Sequence, residues 1–316
     1  MAKPKVYIDG QEGTTGLQIY DRLGERDDIE LLLIDPAKRK DTEERKKLLN
    51  AADLVFLCLP DGAAVEAVSL IENENTRVID CSTAHRTDPD WVYGFPELKK
   101  KEQREAISTA KRVANPGCHA TGFLACVAPL VQDGIIPADY PLTCWSLTGY
   151  SGGGKKMIAE YEDHNRDPLL AGPAPYALGL SHKHLPEMQK VAGLNRPPAF
   201  LPVLGDVYKG MCTTVMLHNA YLSNDRLSAE EIYELLAFHY SNGLVIKVAP
   251  FGTAPARLYT GQLAGTDGLL LTVTGHDGQT LIAAQFDNLG KGASGAAVQN
   301  MNLMLGFEET KGLALQ

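Results

Sequence analysis

The sequence predicts an α/β protein in which a doubly wound parallel sheet is followed by a second α+β domain with a mixed or antiparallel sheet. Over roughly the first hundred residues, short apolar segments alternate with helical segments, as in parallel strands joined by crossover helices. Beyond residue 118, segments rich in Val, Thr and Leu follow one another across short turns, which favours antiparallel neighbours.

In the first part, strand-like runs are separated by segments with helical spacing. The apolar run at 5–9 ends at glycines, and Leu17, Tyr20 and Leu23 then recur on one helical face. The later apolar runs carry few charges, as strands covered on both faces do. We predict strands over 5–9, 29–34, 52–59 and 77–80, and helices over 14–24, 41–50 and 62–72.

The second part begins with a predicted helix over 121–132 and ends with one over 293–305. In the last helix Val298, Met301 and Leu305 share one face. Between the two helices we predict strands over 142–147, 200–208, 211–222, 244–248, 262–264, 269–274 and 280–286.

Composition excludes some classes of partner. The 316 residues carry a net charge of −9, which disfavours nucleic acid because phosphate backbones need a basic surface, whereas a small anion needs only a few local cations. No stretch approaches the about 18 apolar residues of a membrane span, and the amino-terminal residues lack the apolar region of a signal peptide. Six scattered cysteines without CxxC pairs indicate reduced thiols in the cytoplasm and no metal site.

Three glycines at three-residue spacing lie between the first predicted strand and the first predicted helix. Glycine lets the backbone approach a pyrophosphate closely, and the helix N-terminus offers it unpaired N–H groups. The spacing departs from GxGxxG, but the strand–turn–helix context is that of a Rossmann-like dinucleotide site. The predicted cofactor contacts here are Gly10, Gly13, Thr14, Thr15 and Gly16.

The end of the second predicted strand bears on the choice of cofactor. Asp35 is placed to accept the ribose hydroxyls of NAD. Lys38, Arg39 and Lys40 follow closely, and any of them could pair with the 2′-phosphate of NADP. Spacing alone leaves NAD and NADP equally open.

Cys118 differs from the other thiols because it follows Asn-Pro-Gly and opens a helix. The aligned backbone dipole favours a thiolate at that position, so we expect a lowered pKa and a nucleophilic sulfur. Pro116 and Gly117 permit the sharp turn that would project the sulfur into a cleft. Cys126, in the middle of the same helix, is expected to be a buried structural thiol.

The segment Ser181–Glu187 supplies two histidines and a carboxylate. His182 and His184 could ligate a metal, but no third ligand is evident in the sequence. Proton transfer to and from a catalytic thiol is the more economical role, with Glu187 orienting or capping. Spacing does not decide which histidine carries the proton.

Two further segments are candidates for anion binding. The glycine-rich turn from Thr148 to Lys156 lacks Walker A spacing but offers N–H groups and lysines. Ser82 and Arg86 follow a strand end, where open α/β sheets bind ligands. We predict a cofactor contact at Ser82, and substrate contacts at Arg86, Asn115, Ser151, Gly152 and Lys155.

Together these segments resemble the short form of the N-acetyl-gamma-glutamyl-phosphate reductase family, within the semialdehyde dehydrogenase superfamily. The resemblance spans nearly the whole chain, and its most specific motifs are Asn-Pro-Gly-Cys ending at Cys118 and Asp-Asn-Leu-Gly-Lys-Gly-Ala starting at Asp287. It implies NADPH as reductant, a place in arginine biosynthesis and a cytoplasmic homo-oligomer, either dimer or tetramer. It also implies Asn288 as a cofactor contact, and a dinucleotide-binding domain of 1–117 with 287–316 around a catalytic, substrate and oligomerisation domain of 118–286.

The resemblance implies reduction of a small acyl phosphate to an aldehyde through a thioester on Cys118. One alternative is an aspartate-semialdehyde dehydrogenase-like acyl-phosphate reductase with a different substrate pocket. Another is a redox-sensing, dinucleotide-binding regulator without catalysis. A thiol hydrolase is disfavoured because it would have no use for the glycine loop.

Overall fold

The chain folds into two compact units. A computed structural model describes residues 2–11, 13–224 and 227–315, and of residue 100 only the backbone. The first unit contains the chain up to Pro96, Lys101–Pro116 and Ala293–Leu313, and the second contains Glu97–Lys100, Gly117–Gly292 and the described residues after Leu313. The predicted domain division stays a prediction, because compactness does not say what each unit binds.

The first unit is built on a parallel sheet, with elements numbered along the whole chain. Its strands are β1 (Lys5–Asp9), β2 (Glu30–Leu32), β3 (Leu54–Leu57), β4 (Arg77–Asp80), β5 (Val92–Tyr93) and β6 (Arg112–Ala114). Its helices are α1 (Thr14–Gly24), α2 (Thr42–Ala51), α3 (Asp61–Ser69), α4 (Lys100–Thr109) and α9 (Gly295–Leu305). The strand order is β2-β1-β3-β4-β6-β5, and every pair is parallel.

Both faces of this sheet are apolar, which confirms the predicted doubly wound fold. Val6 and Ile8 of β1 pack with α1 and α9 on one face, whereas Tyr7 packs on the other face with α2 and α3. The same alternation holds in β3, where all four residues are buried. Because successive side chains of a strand point to opposite faces, a strand with two covered faces must be apolar throughout.

The second unit is built on a mixed sheet. Its strands are β7 (Thr143–Gly149), β8 (Ala174–Pro175), β9 (Ala199–Gly205), β10 (Met211–His218), β11 (Ile246–Val248), β12 (Leu269–His276) and β13 (Gln279–Phe286). Its helices are α5 (Cys118–Gln132), α6 (Gly154–Glu162), α7 (Leu185–Ala192) and α8 (Ala229–Tyr240). The order is β11-β12-β13-β10-β7-β9-β8, with parallel pairs at β11/β12 and β7/β9 and antiparallel pairs elsewhere.

The two faces of the second sheet differ. Helices α5 and α8 contact one face; Cys126 of α5, a fully buried thiol as expected, lies 3.9 Å from the Ile282 carbonyl oxygen of β13. The opposite face carries apolar side chains that remain partly accessible to solvent, among them Trp145, Leu201 and Met216. We call this second surface the open face.

Several predicted elements need correction. The helix that carries Cys118 begins at that residue and not at residue 121. Residues 262–264 form turns rather than a strand, since the Gln262 and Ala264 N–H groups donate to carbonyls three residues earlier. Strands β5, β6 and β8 escaped prediction, because runs of two or three residues are too short to show a period. Helices α4, α6 and α8 were not predicted either. None of the helices in the described ranges has the length and apolar character that a bilayer crossing needs.

Candidate active site

The glycine loop forms a close turn at the start of α1. Gly10 has φ +87°, and a Cβ there would lie 2.4 Å from the Cys58 carbonyl oxygen. A Cβ on Gly16 would lie 2.4 Å from the Gly10 carbonyl oxygen, so side chains at either position would force the loop apart. The Thr14 hydroxyl, at the first turn of α1, is buried without a hydrogen-bond partner in the described part of the chain. Such a hydroxyl and the first-turn N–H groups fit a pyrophosphate.

A cleft of about 950 Å³ in the first unit is lined by the loop and by the end of β2. Asp35, Arg39 and Lys40 line it, and Asp35 Oδ1 also accepts the Ala37 N–H at 2.9 Å. Lys38 Nζ lies 3.8 Å from a Glu44 carboxylate oxygen. The structure therefore brings Arg39 and Lys40 to the cleft beside Asp35 and turns Lys38 toward α2.

Three more predicted residues lie near the ends of β4 and β6 and make local contacts. Ser82 Oγ donates to Asp80 Oδ2 at 2.7 Å, and Asp80 Oδ2 also lies 2.6 Å from His85 Nδ1. Arg86, predicted to bind an anion, donates from Nε to the Asn115 carbonyl oxygen at 2.9 Å. The Asn115 amide donates to the Ala293 carbonyl oxygen at 3.0 Å. These bonds fix the carboxyl ends of the strands, and the ligand contacts of Ser82, Arg86 and Asn115 stay predictions.

Cys118 is the first residue of α5 and is half-buried. The N-cap residue, Gly117, has no side chain to occupy the first N–H groups, and the first turn contains no acidic residue. No side chain of the N-cap residue therefore competes with the sulfur for the positive end of the helix dipole. No disulfide joins any of the six cysteines, all of which lie in the described residues.

A buried carboxylate holds the turn before the nucleophile. Glu187, in the first turn of α7, is 2% exposed, and its Oε1 accepts the Gly117 N–H at 2.8 Å. A charged acceptor makes this a strong hydrogen bond. The predicted role of Glu187 is to orient or cap, and its carboxylate is bonded to the backbone next to Cys118.

A third segment packs directly on Cys118. Gly292 lies in a π-helical turn over Gly290–Ser294, and a Cβ added to it would stand 3.0 Å from Cys118 Cβ. Lys291, the preceding residue, forms a buried ion pair with Glu97, with Nζ 2.9 and 2.8 Å from the two carboxylate oxygens. The ion pair and the glycine explain why this Gly-Lys-Gly run adjoins the nucleophile.

The two predicted histidines lie together with a third, His119, which sequence reasoning missed. The rings of His182 and His184 are 4.7 Å apart, and those of His119 and His182 are 5.3 Å apart. His182 Nδ1 accepts the His184 backbone N–H at 3.1 Å. Burial, with a smaller effect of Lys183, lowers the pKa of His182 to about 4, so this ring is neutral near neutral pH.

His119 belongs to a chain of polar side chains behind the nucleophile. Its Nε2 lies 2.7 Å from the Tyr176 hydroxyl, and its Nδ1 lies 2.8 Å from Ser146 Oγ. Ser146 Oγ lies 2.8 Å from Thr213 Oγ1. Burial, with His182 nearby, lowers the pKa of His119 to about 3. Its position next to Cys118 was the sequence signal that could have identified it.

The glycine-rich turn over 149–156 is braced by Asn288. The Asn288 amide donates to Ser151 Oγ at 3.0 Å and accepts the Gly210 N–H at 2.9 Å, and Gly152 packs beside it. Lys155 is exposed near the start of α6. The structure thus brings Asn288, Ser151 and Gly152 together, while their ligand roles and that of Lys155 stay predictions.

Comparison with known proteins gives one consistent result. Residues 5–106 match the family model described as semialdehyde dehydrogenase, NAD binding domain, and residues 118–288 match semialdehyde dehydrogenase, dimerisation domain. N-acetyl-gamma-glutamyl-phosphate reductase 2 of Nostoc sp. is 48% identical over 99% of this chain and 100% of its own length. N-acetyl-gamma-glutamyl-phosphate reductase of Brucella ovis is 50% identical over 96% of this chain and 99% of its own.

Solved structures share the fold. Aspartate semialdehyde dehydrogenase II of Vibrio cholerae aligns with a TM-score of 0.72 and 18% identity over 96% of this chain and 99% of its own. Aspartate semialdehyde dehydrogenase of Candida albicans, solved with NADP, aligns with a TM-score of 0.68 and 16% identity over the same shares. At these identities the likeness concerns the fold alone.

Proposed function

Because this chain belongs to the semialdehyde dehydrogenase family, we propose that it reduces N-acetyl-gamma-glutamyl phosphate with NADPH in arginine biosynthesis. The products are the semialdehyde and phosphate. The substrate follows from relatives that carry this enzyme name at 48% and 50% identity over nearly the full chain. The observation that carries the chemistry is Cys118 at the first position of a helix whose N-cap residue has no side chain.

The chain's own residues perform a nucleophilic substitution. The Cys118 sulfur attacks the acyl carbonyl, the bond between carbonyl carbon and phosphate oxygen breaks, and phosphate leaves with the electron pair. NADPH supplies the hydride that reduces the resulting thioester. The oxyanion then re-forms a carbonyl, the carbon–sulfur bond breaks, and Cys118 is regenerated as a thiolate. His182 or His184 exchanges the proton, and N–H groups at the start of α5 stabilise the oxyanion.

The first unit supplies the cofactor contacts. Gly10, Gly13 and Gly16 with Thr14 and Thr15 hold the pyrophosphate, as the buried Thr14 hydroxyl and the close loop packing support. Asp35 would accept the adenosine ribose hydroxyls and Arg39 would pair with the 2′-phosphate, and the support for this is that both line the cleft. All six cysteines are free thiols, as is usual in a reducing compartment, so we place the enzyme in the cytoplasm.

The decisive assay is the reverse reaction with N-acetylglutamate semialdehyde, phosphate and NADP⁺. We expect phosphate-dependent NADPH formation by the wild type and none by Cys118→Ser. Cys126→Ala, on the same helix, is the matched control and should keep its activity. In the forward direction without NADPH, mass spectrometry should detect the acyl group on Cys118.

The possible failures of this assay have different meanings. Unchanged turnover in Cys118→Ser would refute the covalent mechanism. Preference for aspartyl phosphate would refute the substrate, and cofactor binding without any turnover would indicate a regulator.

We further propose that two copies of the chain pair through the open face. The support is the partly accessible apolar row Leu201, Trp145 and Met216, and the match of residues 118–288 to a dimerisation domain. Met216→Glu should convert the oligomer to monomers in light scattering. Phe238→Glu, on α8 and more exposed at 71% against 49% for Met216, should not. A monomeric wild type would refute the pairing.

A further inference from the structure

In the hydrogen-bonded chain of side chains that includes His119, the buried end determines which group donates to which. The chain runs Thr213–Ser146–His119–Tyr176, with successive distances of 2.8, 2.8 and 2.7 Å. Thr213 and Ser146 are fully buried, whereas Tyr176 is half-buried. Each hydroxyl has one hydrogen to donate, and a neutral imidazole has one N–H and one lone pair.

At the buried end, the Thr213 hydroxyl has one acceptor for its hydrogen among the described residues. Within the described residues, the hydrogen-bond partner of Thr213 Oγ1 is Ser146 Oγ. Gly122 of α5 closes the other side, since a Cβ there would lie 2.4 Å from Thr213 Oγ1. A buried donor without an acceptor is costly, so Thr213 donates to Ser146.

The remaining donors follow in order. Ser146, accepting from Thr213, donates its hydrogen to His119 Nδ1. His119 is neutral because burial lowers its pKa to about 3, so its proton is on Nε2 and is donated to the Tyr176 oxygen. The chain therefore ends with a tyrosine hydroxyl that accepts one hydrogen bond and has its own hydrogen available.

That hydroxyl contacts His119, the residue after Cys118, and belongs to a ring that also contacts His182. Tyr176 follows edge strand β8, and its N–H donates to the Pro202 carbonyl oxygen of β9 at 3.0 Å. Its ring lies 5.9 Å from that of His182. Burial raises the pKa of Tyr176, and the charge of the Cys118 sulfur adds to this, so the phenol stays protonated.

We propose that the Tyr176 hydroxyl donates a hydrogen bond to the oxyanion that forms when the Cys118 sulfur bonds to the acyl carbonyl. Thr213, Ser146 and His119 are positioning residues that hold the phenol as a donor. In this step the sulfur–carbon bond forms, the carbonyl π electrons move to oxygen, and Tyr176 keeps its proton. The inference rests on the proposed acyl-phosphate reduction and adds a residue to it.

The kinetic test compares wild type, Tyr176→Phe and Tyr221→Phe. Because one oxyanion donor is typically worth about 10²–10³ in rate, Tyr176→Phe should lower kcat about 10²-fold with KM unchanged. The rate and pH midpoint of Cys118 alkylation by iodoacetamide should not change, since the donor acts on the oxyanion and not on the thiol. Tyr221→Phe, at an exposed tyrosine, is the control.

Two measurements test the positioning residues independently of the activity. Nitrogen chemical shifts of isotope-labelled histidine, assigned with His119→Gln, should show the Nε2–H tautomer for His119. Ser146→Ala should lower kcat when it is introduced alone. Added to Tyr176→Phe, it should cause no further decrease in kcat, because the effects of residues that act through one group are not additive.

The results separate this inference from the proposed function. Three results would each overturn the inference while the reductase activity of the wild type stands. They are a normal kcat in Tyr176→Phe, an Nδ1–H tautomer of His119, and a Cys118 alkylation rate that decreases in Tyr176→Phe by the same factor as kcat. Absence of phosphate-dependent turnover in the wild type would overturn the proposed function, whatever the tautomer of His119.

Discussion

Replacement of Glu187 separates a positioning carboxylate from one that transfers protons. Gln at this position keeps an oxygen that can accept the Gly117 N–H, and Met has similar length without an acceptor. The bond is 2.8 Å long at a site 2% exposed, and a hydrogen bond to a charged group contributes about 1.5–3 kcal/mol. We therefore expect Glu187→Met to lower the free energy of unfolding by about 2 kcal/mol and Glu187→Gln by less.

The kinetic consequence follows from the place of Gly117 directly before Cys118. A displacement of about 1 Å at a nucleophile can cost about 10²-fold in rate, so Glu187→Met should lose up to that factor in kcat. Glu187→Gln should keep most of kcat because the turn stays tied. Urea titration measures the stability loss, and the phosphate-dependent assay measures kcat.

An equal loss of kcat in Glu187→Gln and Glu187→Met would refute this positioning role. A carboxylate that transfers protons contributes about 10²–10⁴ in rate, and an amide cannot replace it. In that case Gln and Met would be equally inactive, and Glu187→Gln would have nearly wild-type stability.

Three further changes test other parts of the site. His119 has a pKa of about 3 in the fold against 6.5 in the unfolded chain, so the unfolded chain binds more protons below about pH 6.5 and the free energy of unfolding decreases as the pH is lowered. This histidine should account for a loss of about 2 kcal/mol by pH 5. Urea titrations should show a smaller loss in His119→Gln. Gly292→Ala, whose Cβ would press on Cys118, should lower kcat at least tenfold, roughly the cost of a sub-ångström shift, whereas Gly24→Ala, with open space, should not. Arg39→Ser should raise KM for NADPH more than for NADH, and Lys38→Ser is the control. Equal effects of the two substitutions on KM for NADPH would contradict the proposed contact between Arg39 and the 2′-phosphate.

Local patterns made much of the fold predictable. The strand at Lys5–Asp9, the helix at Thr14–Gly24 and the strand at Arg77–Asp80 were predicted with the observed bounds. The first ends at a glycine and the second has a clear helical period. Cys118 was identified for the same reason, since a helix start after Pro-Gly is a local feature.

Contacts between distant segments were not predictable from spacing. Glu187 meets Gly117 across 70 residues, and His119 meets Tyr176 across 57. Asn288, predicted near the cofactor, forms its hydrogen bonds with Ser151 and Gly210, which no period in the sequence indicates. Such pairings depend on how the sheet of the second unit brings loops together.

The segments that surround Cys118 have a consequence for folding. The Gly117 turn is tied to α7, and Cys118 packs on Gly292 at the far end of the second unit's sequence. Long-range contacts of this kind form late, after their loop-closure entropy has been overcome. A nascent or partly folded chain therefore carries an ordinary thiol, and the nucleophile emerges only with the last contacts of the unit. The rate at which an alkylating probe modifies Cys118 during refolding would consequently report when the last contacts of the second unit have formed.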